Sequence, residues 1–430
     1  SRDYTEAMNW FHKAAQRGST EGQFNLGLMY LTGRGMTRDY AEAAKWFLKA
    51  AEQGDAAAQS NIATMYLRGK GVAKDTAEAS KWYLKAAEQG NAYAQNILGK
   101  MYQTGNGIAQ DAAEAVKWYR KAAEQGNVEA QVNLGLNYIQ GKGMTRDDRE
   151  AAQWFLKAAE QGNSFAQYNL GLIYEKGQGV TPDIAEAVKW YRRAAEQGNT
   201  TALDNLTRLS HDGNSLAQLN LGDMYQNGSG VPQNDSEAVQ WFIKAAEQEN
   251  VEAQFNLGLK YDNGQGVEQN DTEAVKWYLK AAERGHVDAQ CNLGVKYNTG
   301  KGIPKDDTEA VKWFLKAAEQ NSAIASNNLG VIYRNGEGVV QDHAQAAQWF
   351  LKAAELGYVH AQINLGLMYR NGEGVEQNDG EAVKWFRRAA EQGSAVAQNN
   401  LGVMYLNERG VARDDAETVK WFRQAAGKGN

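Results

Sequence analysis

Apolar positions in this chain recur at helical spacing, and the helical pattern itself recurs every 36 residues. In 91–126, NAYAQNILGKMYQTGNGIAQDAAEAVKWYRKAAEQG, residues Ala94, Leu98, Met101 and Tyr102 share one face of a first helix. Ala115, Trp118, Tyr119, Ala122 and Ala123 share one face of a second. Tryptophan stands at 10, 46, 82, 118, 154 and 190, then at 241, 277, 313, 349, 385 and 421. Every step is 36 residues except the 51 between Trp190 and Trp241. A fixed period of this length means one supersecondary unit stacked many times, so the pattern predicts an all-α array of helix pairs. Complete units run 19–54, 55–90, 91–126, 127–162 and 163–198, then 214–249, 250–285, 286–321, 322–357, 358–393 and 394–429; residues 1–18 supply a second half alone.

Polar residues mark where the helices begin. The second helix opens on Asp or Asn in all twelve copies, from Asp3 to Asp414, with Glu three residues later except at Gln345. That spacing predicts a capping box in every copy. Asn, Ser or Asp opens the first helix in nine of the eleven complete units; His286 and Tyr358 depart from the rule. Gly99 lies inside the first helix and recurs in ten of eleven units, Ala63 replacing it once. Glycine there costs about 1 kcal/mol against alanine, which points to a ring pressed on bare backbone. Gly105 and Gly107 end the first helix and turn the chain. The G-x-G spacing is shared with phosphate loops, but no strand precedes it and no lysine follows on schedule.

The register breaks once. Residues 199–213 fit the first helix alone, with Ala202, Asn205 and Leu206 in place but Thr207 and Ser210 where Gly and Tyr are expected. The reading is therefore a first array over 1–198, a truncated and irregular junction over 199–213, and a second array over 214–430. A change of superhelical direction is expected at the junction, with His211-Asp212 in a loop.

Composition narrows the chemistry. A formal charge of −6 argues against a nucleic-acid binder, which needs a basic face. No apolar run is long enough to span a bilayer. The one cysteine, Cys291, excludes an internal disulfide framework, and the five histidines show no metal-ligand spacing, so no metal, cofactor or catalytic residue is expected. The chain opens at Ser1 inside a unit and closes at a unit boundary, Gly429-Asn430, without a polar capping helix, which is expected of a segment of a longer protein and would allow end-to-end self-association.

The pattern A-x-x-x-L-G-x-x-Y-x-x-G-x-G-V followed by D-x-x-E-A-x-K-W-[FY]-x-K-A-A-x-x-G resembles the Sel-1-like repeat (SLR) family, with Ala94 to Gly126 matching nearly position for position. The resemblance implies a tetratricopeptide-like, right-handed superhelical solenoid of antiparallel helix pairs. It also implies an adaptor function, in bacterial envelope and signalling systems for many members. A cysteine-rich branch has been linked to penicillin binding; this chain lacks those cysteines.

Comparing the units with one another separates fixed from variable positions. Positions matching 94, 98 and 102 barely change, whereas those matching 93, 96 and 103 vary. In the family the first helix lines the concave surface, so the variable stripe is the expected recognition face for a protein or peptide ligand. Its candidate residues are Phe24, Tyr93, Phe165, Tyr168, Leu216, Leu219, Phe255, His360 and Ile363, the Phe165–Tyr168 patch foremost. Packing against a neighbouring unit is the competing account of these side chains, and glycan or peptidoglycan binding is the alternative function.

Overall fold

The computed structural model describes residues 2–427; the side chains of residues 2, 3 and 5 lie outside that description, and with them the cap expected at Asp3, as do Gly429 and Asn430. Among the described residues there are 24 helices and no strand. Each repeat contributes an A helix, such as Ala92–Thr104, and a B helix, such as Ala112–Glu124. The fold divides into two compact units, Ser1–Leu206 and Thr207–Asn430. The division falls inside the helix Thr200–His211, an A helix followed directly by another, Ser215–Asn227.

Both kinds of helix start where the side chains stop the backbone from fraying. Asp111 Oδ1 accepts from the amides of Ala113 (2.9 Å) and Glu114 (3.0 Å), and ten other B helices open with an Asp or Asn cap in the same way. The reciprocal half of the capping box does not form. The Asp111 amide donates instead to the Tyr102 carbonyl of its own A helix at 3.0 Å, which pins the loop between the two helices. Glu114, freed from the backbone, pairs with Lys117 at 2.6 Å. His286 does cap its A helix, its Nδ1 accepting from the Ala289 amide at 3.1 Å, while Tyr358 makes no side-chain cap bond.

Gly99 is fixed by packing. A Cβ there would lie 2.8 Å from the Tyr119 ring, and the same near-clash recurs between Gly27 and Phe47, Gly258 and Tyr278, and Gly366 and Phe386. The aromatic pair splits its work. Tyr119 is fully buried in the core of its own repeat, whereas Trp118 packs into the core of the preceding one. Trp10 is 64% exposed, unlike most of its counterparts. Each long cation three residues on covers a tryptophan face, as Lys121 covers Trp118 at 4.4 Å.

Gly107 has a different reason. Its φ is +75°, and a Cβ would sit 2.1 Å from the Thr76 carbonyl at the start of the preceding B helix. The G-x-G turn is thus a backbone-to-backbone seam between repeats, already filled by protein, which removes the space a phosphate would need.

One element of the frame escaped the sequence reading. Buried Gln59 donates to the Ala51 carbonyl of the preceding repeat (3.1 Å) and accepts from Gln89 of its own (2.7 Å). The same pairing recurs at Gln95 with Gln125 and at Gln131 with Gln161. A glutamine at this position in ten of eleven units was the signal. Where Arg284 replaces the donor, Gln254 Oε1 is left buried without a partner.

Candidate functional site

The variable stripe separates into three environments. Leu219 and Ile363 are buried, 9% and 8% exposed, inside hydrophobic clusters. Phe24, Tyr168 and Phe255 are half-buried, their rings 5.8, 6.2 and 6.1 Å from Phe47, Tyr191 and Tyr278 of the B helix in the same repeat. Phe255 also stacks on His286 at 4.3 Å. Leu216 is half-buried against the cluster around Leu219. Tyr93 and Phe165 remain open, 44% and 45% exposed, and His360 is exposed beside Tyr358 at 5.5 Å. Phe165 and Tyr168, three residues apart on Ser164–Lys176, therefore differ: the first offers a free ring and the second is committed to packing.

Two cavities meet along the first three A helices, Thr20–Thr32, Ala56–Arg68 and Ala92–Thr104. One, of about 440 Å³, is lined by Leu31, Arg34, Arg38, Tyr40, Asn61 and Lys70, among others. The next, of about 470 Å³, is lined by Leu67, Tyr83, Tyr93, Ile97, Lys100 and Asn106, among others. Thr64 and Arg68 line both, so the two form one groove with Arg68 at its middle. At the floor of the second chamber Tyr83 shares a hydrogen bond with Thr64 at 2.7 Å; burial pushes its phenol well above the ordinary range, so it stays neutral.

The groove is basic in an acidic chain. Arg34, Arg38, Arg68, Lys70 and Lys100 are exposed, no carboxylate lines either chamber, and none of the five forms an ion pair among the described residues. One substitution accounts for part of this. Where Arg146 and Arg413 pair with Asp148 (2.8 Å) and Asp415 (2.9 Å) two residues on, Arg38 meets Tyr40 instead, and both Arg38 and Lys70 lie over that ring at 5.9 and 5.4 Å.

In Thr207–Asn430 the corresponding chemistry is self-contained. Lys260 and Lys296 occupy the core register held by Met29, Met65 and Met101 and are 4% and 5% exposed. Lys260 bonds Asp235 at 2.7 Å; Lys296 bonds Asp271 at 2.6 Å and also Asp262. Burial opposes the Lys296 charge, but the two carboxylates outweigh it and raise its pKa, while the Lys296 hydrogen bond holds Asp271 below the ordinary carboxylate range. These lysines went unread in the sequence, although a charged residue at a core register was a visible signal.

Burial pushes the Cys291 thiol up to about 12, so it is not a thiolate near neutral pH. Among the described residues no group of three His, Cys, Asp or Glu is placed to hold a metal, and no helix is long and apolar enough to cross a membrane. His211 ends a helix rather than lying in a loop, and its ring meets Trp241 edge-on at 5.1 Å.

Stacked helix pairs joined by glycine seams define an α-solenoid, a class of repeat scaffold. The Sel1 repeat model matches at 1–19, 20–55, 56–91, 92–127, 128–163, 164–199, 215–250, 251–286, 287–322, 323–358, 359–394 and 395–430, and the chain belongs to that family. The chain is similar to the solved structure of c5321, a protective antigen present in uropathogenic Escherichia coli strains, at 39% identity over 98% of this chain and 87% of that one, with a TM-score of 0.50. A Sel1 repeat protein from Oxalobacter formigenes matches at 34% identity over 75% of this chain and 90% of that one, with a TM-score of 0.44. No curated protein matches the chain. Proteins of this family are generally protein-interaction scaffolds.

Proposed function

We propose that this chain binds an extended protein or peptide segment along the exposed face of its A helices. The observation that carries the reading is the continuous groove over the first three A helices, with the exposed Tyr93 ring lining its second chamber. Asn61, in the first chamber, commits one amide hydrogen to the Ala57 carbonyl at 2.8 Å, which holds it in place. Its other hydrogen and its oxygen match the donor and acceptor of a peptide group. Exposed aromatics beside such amides supply anchoring area at low entropic cost. The stripe extends the face through Phe165 in the same unit; in Thr207–Asn430, Ile324, His360 and Val396 are exposed members of it.

The test is selection of peptides from a random library, followed by titration against Tyr93→Ala and Phe165→Ala chains with unchanged helical melts. The expected result is a loss of about tenfold or more for Tyr93→Ala, the size of an interface anchor. Selected peptides that bind both variants as well as the parent would overturn the reading. The exposed Phe165 face also suits stacking on a sugar, and peptidoglycan fragments that bind the parent and not Phe165→Ala would favour that second reading. The same proposal makes the chain a binding module rather than an enzyme, without nucleic acid as its partner. The division into 1–198, 199–213 and 214–430 belongs to it as well. End-to-end association through surfaces such as exposed Trp10 is checked by light scattering, where monomer alone removes it.

A further inference from the structure

We infer that the groove of the first three A helices selects an acidic peptide segment, a deepening that rests on the peptide-binding reading above. Five cations, Arg34, Arg38, Arg68, Lys70 and Lys100, surround the two chambers without a carboxylate among the lining residues. Lys45, Lys81, Lys117 and Lys189 each pair with a Glu three residues earlier, whereas none of the five around the groove has such a carboxylate beside it. Unpaired guanidinium and ammonium groups gathered in one concavity focus a positive potential there, even though the chain as a whole is acidic.

The geometry favours a polypeptide over a free anion. Neighbouring helices pack about 8–10 Å apart, so a groove crossing three A helices is roughly 20 Å long. An extended chain rises about 3.3 Å per residue, so about six residues fill it. Alternate side chains of such a strand face the groove, which lets about three carboxylates meet Arg34, Arg68 and Lys100 in sequence. Arginine at the centre offers a fork that matches a carboxylate with two parallel bonds. Leu31, Leu67, Ile97 and the Tyr40 and Tyr93 rings between the cations supply apolar contact that a small anion cannot use.

The test uses fluorescent peptides of about six residues that alternate Glu with Tyr, with Gln and Lys replacing Glu as controls, each titrated against the whole chain. The Glu peptide is expected to bind at least about tenfold more tightly than the Gln peptide, to weaken as salt rises, and to lose that preference in Arg68→Glu and in Lys70→Glu. Lys70 lies in a loop and Arg68 at a helix end, so one variant that fails to fold leaves the other to decide. The Arg68→Glu chain should gain affinity for the Lys peptide. Equal binding of Glu and Gln peptides that Tyr93→Ser weakens alike would overturn the acidic preference and leave the peptide groove standing. Displacement of the Glu peptide by free glutamate at matched charge concentration, untouched by Tyr93→Ser, would overturn the peptide groove itself. No binding of the Glu peptide overturns the acidic preference outright.

Discussion

Two sites, one in each compact unit, use one frame to opposite electrostatic ends. In Ser1–Leu206 the register under the first three A helices is methionine, at Met29, Met65 and Met101, and the cations stand outside it, unpaired, around a groove. In Thr207–Asn430 the same register holds Lys260 and Lys296 between apolar Met224, Ile332, Met368 and Met404, and Asp235, Asp262 and Asp271 close around the two lysines. Other polar groups of this unit are also spent on each other: Asn298 donates to Asp307 and Glu337 at 3.0 and 3.1 Å, and, further along, Arg409 holds Asp379 at 2.7 Å. What differs between the groove and the lysine network is whether the charges find partners inside the chain. A solenoid separates framework from surface in this way, because the fixed positions hold the stack whatever the variable ones do.

The largest test of that difference is an exchange of registers. Met101→Lys would face Leu67 and Thr76, which stand where Lys296 finds Asp262 and Asp271. An uncompensated buried lysine should cost about 3–5 kcal/mol in denaturant melts. The reverse change, Lys296→Met with Asp262→Leu and Asp271→Thr, should be neutral or stabilise by about 1–4 kcal/mol, since apolar packing commonly replaces a buried ion network without loss. Equal effects of both changes would break the comparison.

A smaller effect probes what the units share. Gly99→Ala and Gly294→Ala each put a methyl group against a buried ring, Tyr119 at 2.8 Å and Phe314 at 2.7 Å. Each should cost about 1–3 kcal/mol and by similar amounts, because the frame is common to both units. A cost confined to one unit would contradict a shared frame.

Acid should distinguish the units further. Asp271 has a lowered pKa in the folded chain, so its contribution is present above the ordinary aspartate value of 3.8 and is lost as pH falls through the depressed one. Hydrogen exchange around Val287–Thr299 should therefore accelerate below that value in the parent and not in the Lys296→Met triple variant. The smallest change sharpens the groove itself. Tyr40→Asp recreates beside Arg38 the pair seen at Arg146–Asp148, which should add only about 0–1 kcal/mol of stability, as exposed pairs do. It should nevertheless weaken acidic-peptide binding severalfold in the same titration.

Much of this was legible in the sequence because repetition supplies its own controls. Asp111 and its counterparts announced the B-helix starts, and Gly99 announced a ring on backbone before Tyr119 was seen to press there. Local chemistry is readable when the partner lies within a few residues or within the same 36-residue period. The stripe was legible as variable positions, but not which of them face out. Tyr168 and Leu219 turn into contacts with Tyr191 and the cluster around Phe242, and that depends on helix rotation that periodicity leaves open. The capping box was read too far, because the Tyr102 carbonyl that takes the Asp111 amide sits across a turn. The lysine network and the basic groove were missed for one reason. Both arise where residues of successive repeats stack, as Lys296 meets Asp271 and as Arg68 and Tyr93 line one chamber, and the stacking register is not written in either repeat alone.

The most direct test of the account is hydrogen exchange across the whole chain with and without a saturating Glu–Tyr peptide. Protection confined to Thr20–Thr32, Ala56–Arg68, Ala92–Thr104 and the loops that follow them is the expected result. Protection centred in Thr207–Asn430, or on B helices alone, would contradict it.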